Sequence, residues 1–424
     1  MTTTTSVASK PARFRPTFTV SAPPPTPSPA PTVRRLPLLA AALGLAALTW
    51  FVAAQHGAKP AVLLALGGGL GFVLFHSRFG FTSAWRQLVA VGNGTGLRAH
   101  ALLLGTTATL FALVIGTGSG LFGSRPEPSA GPLGVGLLLG AFLFGLGMQL
   151  GGACASGTLF AVGAGQSAIV LTLGGFIVGS VLYTWGYPLV AGLPALRPFV
   201  LADHVGWFWS WAITIGVLVA VVWVTKLVQA RRRPPPVDAV PSARGVARVV
   251  RGSWPLWVGA LALAGLGGAV LLVSGGAWGI TSAFGLWGAK FLQLLGAHPE
   301  SWTFWRQPAQ AKMLAGPVLA DKTSLTDIGI MFGAAVAASA GGVWTLHRRI
   351  PWRTALAAVL GGIVMGIGAR LANGCNIGAY LAGIASGSAS GWLWGLAALG
   401  GTWAGLALRP LFGLANPKPG DGVC

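Results

Sequence analysis

Acidic residues are scarce in this chain, and the shortage limits what the protein can be. Its 424 residues include seven Asp and Glu against 28 Lys and Arg, so that 8% are charged while 54% are hydrophobic. A soluble domain of this length needs more charge to cover its surface, so the composition indicates a protein whose solvent is the lipid bilayer. The basic residues cluster in short segments between apolar runs, which is typical of cytoplasmic loops and argues against nucleic-acid binding.

The few carboxylates all fall in regions that read as loops or helix ends. We therefore expect no carboxylate deep in a spanning segment. Anion movement should then need no intramembrane proton relay, since such relays use Asp, Glu or His within spans. The seven acidic residues are Glu127, Asp203, Asp238, Glu300, Asp321, Asp327 and Asp421.

Cysteine is also rare, with three residues in the chain: Cys154, Cys375 and Cys424. An odd and widely spaced set provides neither a disulfide framework nor metal-ligand spacing. The six histidines are scattered without a paired arrangement, so haem and zinc are not expected and the prediction is a protein without a cofactor. Cys424 follows the polar segment PKPGDGV and is interpreted as an exposed, incidental thiol.

Long apolar runs are what the chain does contain. A membrane-spanning helix needs roughly 20 mostly apolar residues, and ten such runs are found. The sequence therefore predicts an all-α polytopic membrane protein with about ten transmembrane helices. The runs are 36–54, 60–76, 99–117, 131–150, 166–185, 204–225, 255–273, 326–346, 352–369 and 391–408.

Composition also divides the chain along its length. The N-terminal tail is rich in Thr, Pro and Ala and cannot form a packed core, and a basic, proline-containing linker separates the sixth run from the seventh. Ten crossings place every basic cluster on one side, which predicts that both termini are cytoplasmic. The predicted order is a disordered cytoplasmic tail at 1–35, a first transmembrane half at 36–225, a cytoplasmic linker at 226–254, a second half at 255–413 and a C-terminal tail at 414–424.

Two further segments, 80–94 and 278–292, are half apolar, interrupted by glycine and too polar to cross the membrane alone. Irregular backbone survives at membrane depth only where protein buries it or where it lines a wet cavity. Re-entrant half-helices are the favoured interpretation of both segments, and interfacial helices are the alternative. The segment 296–325 carries mixed charge and is interpreted as an external loop.

The two halves contain an internal repeat with an offset of 221 residues, which aligns Cys154 with Cys375. By the predicted topology the spans before these cysteines run in opposite directions, so the repeats are inverted. Inverted repeats with broken helices at matching positions point to a transport site near the midplane. The identical pairs around the cysteines are Gly140/Gly361, Gly145/Gly366, Gly147/Gly368, Leu150/Leu371, Gly157/Gly378, Ala161/Ala382, Ser167/Ser388 and Ala168/Ala389.

Each cysteine follows an apolar, glycine-rich helix and a predicted break, at Gly152 in the first half and Gly374 in the second. A break exposes backbone N–H groups at a half-helix N-terminus, where an anion is the natural ligand. A cysteine in apolar surroundings stays a neutral thiol, and its weak S–H donor can contact a soft sulfur anion without repelling it. The alternative is that both cysteines are small packing residues.

Polar residues near the breaks complete the candidate site. Asn373 and Asn376 flank Cys375 and either donate amide hydrogens to an oxyanion or cap the helix break. Arg370 either attracts the anion or extends its side chain to the interface. Hydroxyl groups are expected to line the path or to bond back to their own helices; they belong to Thr82, Ser83, Thr281 and Ser282.

The segment GARLANGCNIGAYLAGIASGSASGW (368–392) resembles the signature of the YeeE/YedE sulfur-transport family of bacterial inner-membrane proteins. GLGMQLGGACASGTLFAVG (145–163) is similar to its first-half counterpart. The resemblance extends from about residue 60 to 413. It implies uptake of thiosulfate or a related sulfur or selenium species through a path lined by Cys154 and Cys375, without a bound cofactor.

The sequence differs from the family pattern at one position, and the resemblance also implies a protein partner. Family members often carry a further cysteine just after an Arg-Phe pair, whereas here Arg78-Phe79 is followed by Gly80. The family implies cytosolic sulfur-carrier or sulfurtransferase proteins as partners.

The sequence thus predicts an inner-membrane transporter or channel for a small sulfur-containing anion. The alternative is a membrane-bound thiol enzyme, which would need a thiolate activated by a nearby His, Lys or helix end.

Overall fold

The computed structural model describes residues 32–234, 245–346 and 349–418. Residues 1–31 of the predicted tail (1–35), residues 235–244 of the predicted linker (226–254), and Cys424 lie outside these ranges. The helices are α1 (Arg35–His56), α2 (Ala58–Ser77), α3 (Phe81–Val91), α4 (Thr95–Gly116), α5 (Val135–Leu150), α6 (Ala155–Gly163), α7 (Ser167–Trp185), α8 (Tyr187–Val190), α9 (Ala202–Arg232), α10 (Ala247–Arg251), α11 (Leu256–Ser274), α12 (Thr281–Leu294), α13 (Pro308–Ala315), α14 (Lys322–Ala340), α15 (Trp352–Leu371), α16 (Ala382–Ala385) and α17 (Ala389–Leu408).

Short elements join these helices. A π-helical turn, Asn376–Leu381, leads into α16. Single 3-10 turns occupy Pro299–Ser301, Val318–Ala320 and Arg409–Phe412. Two short strands, β1 (Leu133–Gly134) and β2 (Ala195–Leu196), pair antiparallel.

Nine helical stretches within the described residues are long and apolar enough to cross a membrane. Three of them, Ala58–Val91, Val135–Gly163 and Trp352–Ala385, join a long helix to the short one that follows. The tenth predicted span is the 20-residue α17, which is not among the nine and whose many Gly and Trp residues lower its hydropathy. The prediction of an all-α polytopic membrane protein is confirmed.

Two short helices occupy the segments that the sequence predicts as re-entrant. α3 has 11 residues and α12 has 14, so they extend about 16 and 21 Å, less than the hydrocarbon thickness of about 30 Å. Their first turns are buried, including Phe81 and Thr82 in α3 and Thr281 and Ala283 in α12. Both helices therefore start inside the protein, as half-helices do.

The helix contacts repeat when the two halves are exchanged. The contact between α5 and α17 corresponds to the contact between α15 and α7. The contact between α2 and α14 corresponds to the contact between α11 and α4. In the same way α1 contacts α14 and α9 contacts α4. In its contact with α4, α9 thus corresponds to α1 in its contact with α14.

α5 and α15 cross at close range and run antiparallel. Gly140 lies against Gly368 near the start of α5, and Gly147 lies against Gly361 near its end. Helices related by a two-fold axis in the membrane plane run antiparallel, whereas helices related by an axis along the membrane normal run parallel. This crossing supports the predicted inversion of the repeats.

The molecule has two chemically different ends. At one end, the amide of Arg34 donates to the carbonyl oxygen of Ser339 at 3.0 Å, and that of Trp254 donates to His76 at 2.8 Å. We call this end, which also carries Arg78 and Arg349, the basic end. The opposite end, at which the Glu127 amide donates to the carbonyl of Gly275 at 3.0 Å, is called the loop end. Two predicted cytoplasmic segments, Arg34-Arg35 and 349–353, thus lie at the same end.

Candidate functional site

The first candidate thiol lies at a break between two helices. α5 ends at Leu150, Gly152 adopts a positive φ of 82° that favours glycine, and Cys154 is the residue before α6. The carbonyl oxygen of Cys154 accepts hydrogen bonds from the amide and the hydroxyl of Thr158, both at 2.8 Å. Its Sγ atom lies 3.5 Å from the hydroxyl of Ser156. Cys154 is 1% exposed, so its thiol is enclosed by protein, whereas Gly152 of the same break is exposed.

The second thiol repeats this arrangement. α15 ends at Leu371, Asn373 and Gly374 have positive φ values of 57° and 148°, and Cys375 precedes the π-helical turn. The Trp394 indole donates to the carbonyl oxygen of Gly374 at 3.2 Å and holds the break in place. Cys375 is the N-cap residue of this turn, so the first amides of the turn, including those of Ile377 and Gly378, have no carbonyl partner within the turn. The cysteine therefore sits where the exposed N–H groups of a half-helix converge.

The structure brings the two breaks together. Cys154 and Cys375 belong to one cluster of buried side chains. The Asn376 amide nitrogen lies 3.9 Å from the sulfur of Met148 in α5, which links the second break to the helix before the first. The pairing of the cysteines that the repeat indicates is therefore a spatial one.

A cavity of about 610 Å³ opens beside Cys375 at the loop end. Glu127, in the segment between α4 and α5, lines this cavity. Lys322 and Thr323 line it from α14. Five residues of the predicted site lie on its wall: Thr281, Ser282, Arg370, Asn373 and Gly374.

Arg370 is one of the two cationic residues that line this cavity, together with Lys322. Its guanidinium lies 5.0 Å from the ring centre of Phe304, in a cation–π contact. Its buried Nε atom has no hydrogen-bond partner among the described residues. Nearby, the hydroxyl of Ser282 donates to that of Thr323 at 3.0 Å. A cation with a free N–H group, next to hydroxyl groups, is suited to receive an anion.

The remaining predicted residues lie away from this cavity. Thr82 and Ser83 begin α3 in the first half; the Thr82 hydroxyl is buried without a partner among the described residues, and the Ser83 hydroxyl donates to the Gly80 carbonyl at 3.2 Å. Gly152 and Asn376 belong to the breaks themselves. Asn376 is 1% exposed, and its side-chain oxygen accepts no hydrogen bond from a described residue.

Sequence reasoning missed a polar cluster on the other side of Cys154. Arg86 donates from Nε to the side-chain oxygen of Gln149 at 2.9 Å, and Arg409 donates to the Gln149 carbonyl at 2.7 Å. We call these three residues the arginine cluster. The repeat indicates this cluster, because the offset of 221 residues that aligns Cys154 with Cys375 also aligns Gln149 with Arg370. A glutamine in an apolar, glycine-rich helix at the position of Arg370 was reason to expect a polar site.

The expectation that no carboxylate lies deep in a spanning segment is wrong for Asp327. α14 begins at Lys322 rather than near 326, because Asp321 caps it by accepting from the Ser324 amide at 2.7 Å. Asp327 is therefore the sixth residue of a 19-residue helix, and it is 0% exposed. The predicted external loop that precedes it contains α13 and two 3-10 turns.

Many large apolar side chains face outward, including Leu43 at 66% exposed and Trp223 at 63%. Exposed apolar surface of this extent marks contact with lipid or with another protein. Inside this surface, helices broken at matching positions hold buried polar groups at the centre. These features define a membrane transporter.

A family model described as sulphur transport matches residues 76–404, and the chain belongs to this family. Two relatives align over most of the chain. The thiosulfate transporter TsuA of Spirochaeta thermophila is 28% identical over 347 residues, which cover 80% of this chain and 96% of the relative. The thiosulfate transporter TsuA of Escherichia coli is 28% identical over 354 residues, covering 80% and 92%. The probable transporter YedE of Escherichia coli is 34% identical over 146 residues, covering 33% and 34%.

Proposed function

We propose that this protein carries thiosulfate, or a sulfur anion of the same chemistry, across the bacterial inner membrane with its N-terminus in the cytoplasm. The observation that carries the proposal is the position of Cys375. Its thiol lies where half-helix amides converge, next to a cavity whose wall includes Arg370. The names of two relatives that cover most of the chain supply the anion.

Entry begins at the loop end, which faces the periplasm in this proposal. The cavity of about 610 Å³ is large enough for a small dianion with part of its hydration shell. Arg370 and Lys322 attract the anion electrostatically, and a cleft of low dielectric strengthens that attraction. The hydroxyls and backbone of the cavity wall then replace bound water.

Passage follows the two cysteines in turn. A neutral thiol is a weak donor, so neither Cys375 nor Cys154 holds the anion tightly. Conduction requires sites that favour entry yet allow departure. The sulfur terminus of thiosulfate is soft and polarizable, and a thiol contacts it at a smaller desolvation cost than a hydroxyl does. The half-helix amides stabilise the oxygen atoms of the anion.

The anion leaves along the arginine cluster toward the basic end. Arg86 and Arg409 each keep one buried guanidinium nitrogen without a partner among the described residues, so each retains a donor for the anion. The proposal also includes a cytosolic sulfur-carrier or sulfurtransferase protein as the recipient, which the family resemblance implies.

Transport is favoured over a membrane-bound thiol enzyme by the surroundings of the cysteines. An enzyme of that kind needs a thiolate activated by a nearby His, Lys or helix end. A helix end is present at both cysteines, but no His or Lys stands within ten residues of either one along the chain. The described side-chain partner of the Cys154 sulfur is the hydroxyl of Ser156 at 3.5 Å. A hydroxyl group does not generate a thiolate.

Uptake by purified protein in liposomes tests the proposed function. Vesicles preloaded with unlabelled thiosulfate should exchange it for external radiolabelled thiosulfate, while radiolabelled sulfate should enter no faster than into protein-free vesicles. Absence of thiosulfate exchange with correctly inserted protein would refute the function. Equal exchange of sulfate would refute the role given to the soft sulfur terminus.

A further inference from the structure

Asp327 is a buried carboxyl group that the proposed path does not use. Its side chain is 0% exposed, and neither carboxyl oxygen accepts a hydrogen bond from a described residue. Burying a carboxylate without partners costs far more than burying the neutral acid. In this conformation, the group therefore carries a proton.

Its place on α14 connects the cavity to the first broken helix. Residues four apart share one face of a helix, so Thr323, Asp327 and Met331 form a row. Thr323 lines the loop-end cavity. The carbonyl group of Met331 packs against Gly163 at the end of α6, the helix that Cys154 begins. Asp327 thus lies one helical turn from Thr323, between the loop-end cavity and α6.

No cation among the described residues pairs with this carboxyl group. The nearest ionisable residues on its own helix are Lys322, the first residue of α14, and Asp321, which caps the helix. α2 presents Leu64, Gly67 and Gly68 to this part of α14, and α12 presents the hydroxyl of Ser282. The other ionisable residues on the helices that pack against α14 are Arg35 and His56 in α1, Lys59 and His76 in α2, Arg248 and Arg251 in α10, and Lys290 in α12.

The other half carries a second protonatable group at the matching place. His100 is the sixth residue of α4, as Asp327 is the sixth residue of α14, and α4 and α14 correspond by their contacts. His100 is 1% exposed and stacks on Phe81 with ring centres 4.2 Å apart. Both halves therefore place a buried protonatable side chain at the sixth residue of two corresponding helices, α4 and α14.

We propose that Asp327 is a proton-binding site that couples anion movement to proton movement. This inference rests on the proposed transport function. A proton from the loop-end compartment binds the carboxylate when the anion enters the cavity, and it is released at the basic end when the anion leaves. The proton offsets one negative charge of the anion, which lowers the cost of moving a dianion through the membrane. A membrane-embedded carboxylic acid is a usual carrier in such coupling.

Liposomes with an imposed pH gradient test this inference. With the loop-end side acidic by one unit and the membrane potential clamped at zero, each coupled proton supports about tenfold accumulation of thiosulfate. A pH dye trapped inside should report lumen acidification when thiosulfate is added to the wild type. Asp327→Asn preserves the shape of the neutral acid but cannot release a proton, and Asp327→Glu keeps a titratable group. Asp321→Asn is the matched control, because it removes a charge from the same helix and an amide oxygen can still cap it.

The inference is supported if the wild type, Asp321→Asn and Asp327→Glu all respond to the pH gradient. Asp327→Asn should lose this response, or all thiosulfate uptake, while its expression and monodispersity stay normal. A wild type that exchanges thiosulfate but ignores the pH gradient, or that follows a sodium gradient instead, overturns the inference and leaves the transport function intact. Gradient-driven uptake by Asp327→Asn overturns the assignment to this residue. Equal loss in the Asn and Glu variants shows a structural role and overturns it too. A wild type without exchange refutes the transport function, and this inference with it.

Discussion

Gly147 of α5 lies against Gly361 of α15, so close that a Cβ atom on Gly147 would stand 2.7 Å from the Gly361 carbonyl oxygen. The repeat-related pair reproduces this contact, since a Cβ atom on Gly140 would stand 2.7 Å from the carbonyl of Gly368. In membranes, small residues let helix backbones approach and gain van der Waals contact. This crossing joins the two helices that end at the cysteine breaks, and it therefore sets the distance between the thiols.

The first prediction concerns this crossing. Gly147→Ala and Gly361→Ala should each destabilise the protein by about 1–3 kcal/mol, because the added methyl group meets rigid backbone. Thermal unfolding in detergent, followed by fluorescence, measures the loss. Gly174→Ala in α7 is the control, since no atom lies within 4 Å of its added Cβ. Its stability should be unchanged or raised by up to about 1 kcal/mol, and equal loss in all three variants would contradict the packing argument.

The second prediction concerns the thiols. Cys154→Ala and Cys375→Ala should insert at wild-type levels but lose most thiosulfate uptake, since alanine keeps the fold and removes the donor. The serine variants should also be impaired, because a harder donor with a larger desolvation cost suits the sulfur terminus less well. Uptake per amount of inserted protein is the measurement, with Cys424→Ala as a control that keeps wild-type flux. Full flux in both alanine variants would reduce the two cysteines to packing residues.

The third prediction concerns Arg370. Arg370→Gln should raise the KM for thiosulfate at least tenfold, because it removes one of the two cations that line the loop-end cavity. The loss should be smaller at low ionic strength, where attraction by Lys322 is less screened. Arg353→Gln is the matched control: Arg353 belongs to the same helix and also lies over an aromatic ring, 5.4 Å from the centre of Trp352. An unchanged KM in Arg370→Gln would exclude Arg370 from anion binding.

The fourth prediction concerns orientation. The basic end should face the cytoplasm and the loop end the periplasm, as the distribution of Lys and Arg favours. A cysteine introduced at Ser301 in a cysteine-free background should react with an impermeant thiol reagent in intact cells. A cysteine placed next to Arg244 should react only after the inner membrane is permeabilised. The reverse labelling pattern would invert the proposed direction of entry.

The sequence alone determined the membrane class, the approximate positions of the helices, the two short helices and the two breaks. These features are local, since an apolar run, a glycine-rich break or a cysteine can be recognised within about 20 residues. The repeat offset of 221 residues also pairs Cys154 with Cys375 without any knowledge of the packing. Hydrophobic length decides the positions of the helices, and the bilayer enforces that length.

Only the tertiary structure decided which polar groups meet. The Gln149 side chain accepts from Arg86, 63 residues away, and its carbonyl accepts from Arg409, 260 residues away, and no local pattern encodes such distances. The loop-end cavity likewise combines segments from both halves. Asp327 became a buried group because a cap at Asp321 started α14 earlier than hydropathy indicated. Burial of a charge depends on what packs around it, and packing is a property of the assembled helices rather than of any single one.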